Sequence, residues 1–335
     1  MLYTSIKSVA EKIKNGEIFS WLYKDKNKIK GIIISPDTDG FVSALFLNKV
    51  FDWKVVGFYD GKILVITENV DFENEKEKYV FIDIEILRSN IKSTGHHILL
   101  YNSQQPHPLI TSIKDVCLQP NNWRGMDVER TFAQKYPFGT FHLLLSIIYF
   151  LDPQNPAFKF NPEKALVPSI YLDGVFKNLF NYPENCLDWL KYMSNDDPNH
   201  PFEKLLNHPT TPKDLMKLMK QFFHLLNKIW TTQNKRRKGK ITLDRDISNE
   251  YLDNKVQQEL VEYLEFLAQQ YNYRFNPSLW TVITSKLKIF KLKKSIAPGT
   301  KTKYIEVLNK NPVSLAITSK ARDGLEYTED TQQIF

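Results

Sequence analysis

Short apolar runs and longer apolar or amphipathic segments alternate along the first half of the chain. Runs that are apolar at consecutive positions predict strands that are buried on both faces of a sheet. These runs lie at 30–35, 54–59, 62–66, 79–84 and 97–101. Segments with helical spacing, or with apolar character over more than two turns, predict helices. These helices lie at 6–15, 41–51, 139–151 and 163–178. Strands mixed with helices in this order predict an α/β fold, with a parallel sheet flanked by helices.

Proline-rich and polar segments predict how the chain is divided. Residues 104–125 predict a surface loop with one short strand around Val116, and residues 195–212 contain two Pro-rich motifs that mark a domain edge. Further helices are predicted at 213–230 and 249–271, and short strand-like runs follow from 279 onward. We therefore predict three parts. They are an α/β domain (1–194), a helical linker (195–248) and a smaller C-terminal α+β domain (249–335).

Composition narrows the class of protein without naming a function. The chain has 335 residues, 42% of them apolar, which predicts one large or two ordinary domains. The sequence contains no apolar run of about 18 residues, and its N-terminal segment lacks a signal-peptide core. Cys117 and Cys186 have no zinc-type spacing, so we expect a reducing compartment, a cytoplasmic location and no membrane partner. The net charge of +7 and pI near 9.0 permit a nucleic-acid partner without requiring one.

Two carboxylates one residue apart follow the first predicted strand. Asp37 and Asp39 lie between the run 30–35 and the helix 41–51, and Asp83 ends the later run 79–84. Carboxylates at the carboxyl ends of parallel strands are suitable ligands for a divalent metal ion. The same residues have structural explanations. Asp37 could be a helix N-cap, Asp39-Gly40 a turn, and Asp83 a cap at a strand–helix junction.

Three other polar residues stand out against apolar surroundings. His96 and His97 precede the run Ile98-Leu99-Leu100, which places them at a strand start or in the loop before it. Asp173 falls inside the predicted helix 163–178, where burial of a bare carboxylate would be costly. The histidines could instead be surface or satisfied core residues, and Asp173 could face water. Ser35 and Ser43 have no evident base partner, and we interpret them as structural.

Taken in chain order, these residues belong to a recognisable set of segments. The segments are Asp37-Thr38-Asp39-Gly40 with Ser43-Ala44, Val80-Phe81-Ile82-Asp83, Gly95-His96-His97, Cys117-Leu118-Gln119-Pro120-Asn121, Phe138-Gly139-Thr140-Phe141, and Ile170-Tyr171-Leu172-Asp173-Gly174-Val175 followed by Glu184-Asn185. The set resembles the DHH phosphoesterase superfamily, and most closely its RecJ-like single-strand-specific exonucleases, over residues 28–190. The first motif is fairly specific, whereas the others matter as an ordered set.

Two features depart from the family pattern. Gly95 stands where the family has Asp, a residue implied to orient the adjacent histidine and the metal ligands. Loss of such a supporting residue costs about 10–100-fold in metal affinity or activity. From the resemblance, Gly95→Asp is expected to preserve or raise activity. The interval from Asp83 to His96 is also short, so we expect residues 84–94 to cross over in a tight loop without the usual helix.

The resemblance implies a reaction and a set of ligands. Two divalent ions, Mn²⁺ or Mg²⁺, would activate water for in-line attack on a phosphodiester of single-stranded DNA, RNA or a short oligonucleotide. The implied metal ligands are Asp37, Asp39, Asp83, His96 and Asp173, and all five with His97 form the implied catalytic set. His97 could contact the phosphate or be the ligand itself. Two alternatives remain open: an inactive scaffold among replication or repair proteins, and a small nucleotide phosphoesterase or pyrophosphatase.

The C-terminal third offers weaker candidates for substrate binding. The segment 318–324 faintly resembles a phosphate-binding loop of RecJ-like accessory domains, in which Lys320 and Arg322 would contact substrate. A surface β-turn is the alternative. Two basic stretches, 235–240 and 286–294, could line a nucleic-acid channel or could simply be solvated. Nearby aromatic side chains could stack on bases or belong to the core. They are Tyr271, Tyr273, Phe275 and Trp280.

Overall fold

The computed structural model describes residues 2–232, 239–320 and 322–335. Most of the basic stretch 235–240 therefore lies outside the described residues, and only Gly239 and Lys240 are described. The strands are β1 Gly31–Ile34, β2 Val55–Tyr59, β3 Ile63–Thr67, β4 Tyr79–Ile82, β5 Lys92–Thr94, β6 Cys117–Leu118, β7 Ile247–Ser248, β8 Tyr251–Leu252, β9 Leu287–Lys291, β10 Lys293–Ala297, β11 Ser314–Ile317 and β12 Leu325–Glu329.

The helices follow the same chain order. They are α1 Ile6–Asn15, α2 Thr38–Phe51, α3 Phe72–Glu75, α4 Pro108–Ser112, α5 Pro120–Trp123, α6 Thr140–Leu151, α7 Pro162–Tyr171, α8 Val175–Asn181, α9 Pro183–Ser194, α10 Pro201–Leu206, α11 Pro212–Ile229, α12 Asn254–Gln270, α13 Thr281–Thr284 and α14 Lys301–Leu308. Among the described residues, none of these helices combines the length and apolar character needed to cross a membrane.

A seven-stranded sheet in the order β6-β5-β4-β1-β2-β3-β9 forms the centre of the fold. The strands from β6 to β2 are parallel, and β3 and β9 add antiparallel pairings at one side. In β1, Ile32 and Ile34 pack into the larger core and Ile33 into the smaller one on the opposite face. This two-sided burial explains why the strand is apolar at consecutive positions. The predicted α/β fold with a mostly parallel sheet is confirmed.

The predicted strand 97–101 is wrong. The histidine pair follows a strand and does not precede one. The strand is β5, which ends at Thr94, and Ile98 forms only an isolated bridge with Ile317. Residues 98–100 are apolar because they pack into the core, and within the described part of the chain Ile98 forms a single bridge where a strand would form a ladder. As expected, residues 84–91 connect β4 to β5 without a helix. His96 and His97 therefore follow the carboxyl end of a parallel strand, as Asp37 and Asp83 do.

The predicted helix 163–178 is interrupted at Asp173. Helix α7 ends at Tyr171 and α8 begins at Val175, with Asp173 at φ 37° and Gly174 at φ 73° between them. Left-handed backbone of this kind suits Gly, and among other residues it favours Asp and Asn. The break turns Asp173 out of a helix face and toward the carboxyl edge of the sheet.

The C-terminal segment contributes to both the main sheet and a separate small sheet. Strand β9 pairs with β3 along its length, while β10, β12 and β11 form an antiparallel three-stranded sheet. The small sheet is attached to the β4–β5 connection through a bridge between Ile86 and Ser314, and the Arg88 guanidinium donates to the carbonyls of Asn311 and Pro312. This attachment places the small sheet opposite the carboxyl ends of the parallel strands. The predicted boundaries at 194 and 248 stay predictions.

Candidate metal centre

A cleft of about 240 Å³ lies between the carboxyl edge of the main sheet and the small C-terminal sheet. Side chains from both sides line it. They include Asp37, Asp83, Glu85, His97, Asp173, Lys240, Lys294, Ser314, Thr318 and Tyr327. The strands β1, β4 and β5 all end at this edge because they are parallel neighbours. The sheet topology therefore collects polar residues that are far apart in sequence.

Asp83 is held by two hydroxyl groups. Its Oδ2 accepts a hydrogen bond from Ser35 Oγ at 2.6 Å, and its Oδ1 accepts one from Thr140 Oγ1 at 2.7 Å. Asp83 itself has a φ of 65°, the left-handed region, directly after β4. This conformation costs free energy and persists only where surrounding contacts hold it. Ser35 is thus structural, as interpreted, but its structural role is to support a carboxylate of the site.

Asp39 binds the N-terminus of a different helix. Its Oδ2 accepts a hydrogen bond from the Thr140 backbone N–H at 2.6 Å, and its Oδ1 accepts one from the Phe141 N–H at 3.0 Å. These amides begin α6, where unpaired N–H groups and the helix dipole favour an anion. Asp39 is 1% exposed. The interaction joins the first turn of α2 to the first turn of α6 and fixes the carboxylate in the site.

His96 lies among three carboxylates. Its Nδ1 is 3.3 Å from Asp83 Oδ1, and its Nε2 is 3.4 Å from Asp173 Oδ2. Asp39 Oδ2 lies 4.0 Å from His96 Nδ1. Burial disfavours the charged imidazole, but the three carboxylates outweigh this effect and raise the pKa of His96 to about 10. The Asn121 side-chain amide donates to the His96 carbonyl at 2.9 Å and so fixes the backbone that carries the ring.

Four of the predicted ligands converge. One ligand atom from each of Asp39, Asp83, His96 and Asp173 lies within 4.8 Å of the others, so the group could hold a metal ion. Burial first, and repulsion between the carboxylates second, raises the pKa of Asp39 and Asp173. A cation bound among them would relieve that repulsion. Three oxygen donors and one imidazole nitrogen suit Mn²⁺, and with less preference Mg²⁺.

Asp37 lies beside this group but outside it. Its Oδ1 accepts a hydrogen bond from the Gly40 N–H at 3.3 Å, so it is the N-cap of α2. The structure therefore shows Asp37 as an N-cap, and its predicted role as a metal ligand stays a prediction. The same Oδ1 lies 2.9 Å from Ser35 Oγ, and its Oδ2 lies 3.8 Å from Lys240 Nζ. Burial and the charge of Asp173 raise the pKa of Asp37.

Sequence reasoning missed the residues that support the ligands. The sequence indicates only a structural role for Ser35, and it shows Thr140 and Asn121 only as parts of longer motifs. Glu85 belongs to the same group, and a Glu within the apolar run Ile84-Glu85-Ile86-Leu87 is a signal that the sequence does carry. Such a residue is expected to be paired if it is buried. Glu85 is 2% exposed, and its carboxylate contacts His97.

The predicted substrate-binding residues of the C-terminal third lie elsewhere. Lys320 and Arg322 are exposed and do not line the cleft, and Lys320 Nζ donates to the Glu129 carbonyl. Lys286 and Lys293 form ion pairs with glutamates, which reduces the positive charge of the stretch 286–294. The aromatic residues Tyr271, Tyr273 and Trp280 are core residues, with exposed fractions of 0%, 8% and 1%. Among the residues that the structure describes, Lys240 and Lys294 are the lysines that line the cleft.

Gly139→Ala is expected to weaken the site from outside it. A Cβ at position 139 would lie 2.5 Å from Asp39 Oδ2, so the substitution must push the carboxylate off the α6 amides. We expect a loss of about 1–3 kcal/mol in stability and weaker metal binding. Thermal unfolding and Mn²⁺ titration by calorimetry measure the two effects. Unchanged values for both would show that Asp39 does not depend on the start of α6.

The centre thus combines two buried carboxylates, the more exposed carboxylate of Asp173 and one imidazole, beside a narrow cleft that Lys240 and Lys294 also line. No protein-family model, curated protein or solved structure matches this chain. Its function is therefore inferred from the chemistry of the site.

Proposed function

We propose that the protein is a metal-dependent phosphodiesterase that hydrolyses single-stranded nucleic acid or short oligonucleotides, as a divergent DHH phosphoesterase of RecJ-like type. The observation that supports this proposal is the convergence of Asp39, Asp83, His96 and Asp173 within 4.8 Å. These residues come from four separate segments of the chain. Stability alone does not require three carboxylates in one place, because like charges repel one another.

The residues fit a resident divalent cation. When bound, such an ion supplies Lewis acidity, both for making a nucleophile from water and for balancing charge on a phosphate. Asp39, Asp83, His96 and Asp173 would hold one ion, and the second ion that the resemblance implies would require Asp37. The chain contributes rigidity: the α6 amides fix Asp39, and the hydroxyls of Ser35 and Thr140 fix Asp83.

The cleft also contains cations that could bind a phosphate. Lys240 and Lys294 approach from different sides, and the His97 ring lines the same cleft. Lysine side chains attract phosphate oxygens as point charges and stabilise the charge that develops during hydrolysis. We infer that these three side chains orient the phosphodiester. The N–H of the next residue, Ile241, donates a hydrogen bond to the Pro36 carbonyl at 2.8 Å. This hydrogen bond fixes the backbone that carries Lys240.

The size of the cleft favours short substrates. A volume of about 240 Å³ accommodates roughly a nucleotide, and Lys294 is paired with Glu326 at 2.7 Å. These observations support the second candidate function, a phosphoesterase acting on nucleotides or dinucleotides.

The scaffold alternative, with replication or repair proteins as partners, is supported by the exposed side chains of Phe180 and Leu187, at 67% and 66%. Free, buried Cys117 and Cys186 suit the proposed cytoplasmic location.

Asp83→Asn tests the proposed reaction. With Mn²⁺, we expect the wild-type protein to degrade a labelled single strand or a dinucleotide, and Asp83→Asn to reduce the rate at least about 100-fold. The substitution removes one charge while keeping the size of the side chain. Rates are measured on a DNA strand of about 20 nucleotides, on the matching RNA strand and on a dinucleotide.

Asp152→Asn is the control, because Asp152 is exposed at the end of α6 and away from the site. Equal rates in Asp83→Asn and wild type would indicate a contaminating nuclease. Binding of Mn²⁺ without hydrolysis of any substrate would overturn the proposed activity and favour the scaffold.

A further inference from the structure

Glu85 is a buried carboxylate outside the four-residue metal cluster. It lies in the connection between β4 and β5 and is 2% exposed. Burial of a carboxylate costs several kcal/mol unless hydrogen bonds or an opposite charge compensate. The neighbours of Glu85 in sequence, Ile84 and Ile86, are partly or fully buried apolar residues and offer no compensation through their side chains. The burial of the Glu85 carboxylate must therefore be explained by the groups that its two oxygens contact.

Both oxygens of Glu85 contact one residue, His97. Oε1 accepts a hydrogen bond from the His97 backbone N–H at 2.6 Å, and Oε2 lies 3.2 Å from His97 Nδ1. An ionised carboxylate only accepts hydrogen bonds, so Nδ1 must carry a proton. This arrangement directs the other ring nitrogen, Nε2, away from Glu85. The ring is also stacked on His96, with 4.5 Å between centroids and 25° between planes.

Gly95 makes room for this carboxylate. A Cβ at position 95 would lie 2.4 Å from both Cδ and Oε1 of Glu85, closer than real Cβ atoms approach other atoms. Gly95 does not have a left-handed φ, so backbone conformation does not require glycine here. Space alone does. Positions 85 and 95 are therefore coupled, because a side chain at 95 and the carboxylate of Glu85 would occupy the same volume.

We propose that Glu85 is the positioning residue that orients His97 toward the cleft, and that Gly95 is required because it admits the Glu85 carboxylate. The inference rests on the proposed function only in assigning His97 Nε2 to the phosphate. Glu85 acts through His97 and does not touch the substrate. Consequently Gly95→Asp, expected from the sequence to preserve or raise activity, is now expected to displace Glu85 and to place two carboxylates against each other.

Glu85→Gln is the first test, and its readout is the tautomer of His97. The glutamine can still accept from the His97 backbone N–H, but its NH₂ group then faces Nδ1. We expect His97 to change from the Nδ1–H to the Nε2–H tautomer, measured by long-range ¹H–¹⁵N NMR of the metal-free protein. His142 and His200 are internal references, because the Nδ1 of each accepts a backbone N–H and their tautomer stays Nε2–H.

A pair of substitutions at 85 and 95 is the second test. Gly95→Asp alone is expected to lower the thermal midpoint, and Glu85→Ala/Gly95→Asp to recover most of that loss, because the new carboxylate enters the vacated space. Neighbouring substitutions that compete for one space are non-additive in this way. In activity, Glu85→Gln is expected to lower kcat/KM about 10-fold, with the double variant above Gly95→Asp.

An Nδ1–H tautomer of His97 retained in Glu85→Gln would overturn the proposal. So would a double variant whose midpoint falls by the sum of the single losses. These measurements need neither metal nor substrate. Absence of hydrolysis in every variant, with the expected tautomer change and the expected recovery, would overturn the proposed function and leave the role of Glu85 standing.

Discussion

Asp173→Asn is expected to lower Mn²⁺ affinity at least about 100-fold, while the metal-free protein stays as stable as wild type or becomes slightly more stable. The asparagine keeps an oxygen but loses the charge that attracts the cation. It also fits the backbone, because Asn tolerates the φ of 37° at this position. Calorimetric titration with Mn²⁺ and thermal unfolding of the metal-free protein measure the two effects.

The stability effect has the opposite sign from that of an ordinary structural residue. Burial and the charge of Asp83 raise the pKa of Asp173, so its ionised form is disfavoured in the folded protein. Removing the charge also relieves Asp39, whose pKa is raised by burial and by its acidic neighbours. We expect the thermal midpoint to be unchanged or higher by about 1–2 °C. Opposite changes in metal affinity and stability are the mark of a site selected for ligand binding.

Asp52→Asn is the matched control. Asp52 also has a left-handed φ, 56°, but it ends α2 on the side of the molecule away from the metal cluster. The chemical change and the backbone demand are the same, whereas the charge environment differs. Its Mn²⁺ affinity is expected to equal that of wild type. A marked loss of stability in Asp173→Asn, or equal Mn²⁺ affinity in both variants, would remove Asp173 from the ligand set.

Mn²⁺ affinity is expected to rise about tenfold per pH unit between pH 6.5 and 8.5. Carboxylates near His96 raise its pKa to about 10 despite burial, so the metal-free protein holds a proton there at neutral pH. A metal ligand must lose that proton, and release of one proton on binding gives a slope of about tenfold per unit. Titrations at three pH values, with a buffer of known protonation enthalpy, measure the slope and the proton released.

The same protons set the stability of the metal-free protein. The pKa of His96 is higher when folded than the ordinary 6.5, so its contribution to stability is complete below pH 6.5 and is lost as pH rises toward 10. Asp37, Asp39 and Asp173 also have raised pKa values, so the folded state binds more protons than the unfolded state above about pH 4. Both effects lower stability as pH rises. Added Mn²⁺ is therefore expected to raise the thermal midpoint more at pH 8.5 than at pH 6.5.

His96→Gln separates this explanation from a general effect of pH. The variant lacks the titrating imidazole, so its residual Mn²⁺ affinity is expected to depend less steeply on pH than that of wild type. A wild-type affinity that does not change between pH 6.5 and 8.5 would show that His96 is neutral before the ion binds. An unchanged slope in His96→Gln would assign the proton to one of the carboxylates.

Local patterns in the sequence were sufficient for many elements. Helix α1 follows its predicted bounds, and β1 to β4, α6 and α11 lie within a few residues of theirs. These elements combine strong periodicity or continuous apolar character with clear ends, such as the Ser5 N-cap and the Gly16 C-cap of α1. The sequence also indicated the four aspartates and His96 as candidate ligands, because charged and polar residues beside apolar runs are conspicuous.

Other features depend on residues that are distant in sequence. Strand β5 is Lys-Ser-Thr, which carries no apolar signal, and it forms because β4 and β6 pair with it on either side. The break at Asp173, and the binding of Asp39 to the α6 amides, arise only when several elements meet. The sequence by itself determined which segments are buried and which carboxylates lie next to them, since burial and helix or strand propensity are local properties. Only the tertiary structure decided which of those carboxylates share one centre, and that Glu85 and Gly95 share one space, because both depend on long-range packing.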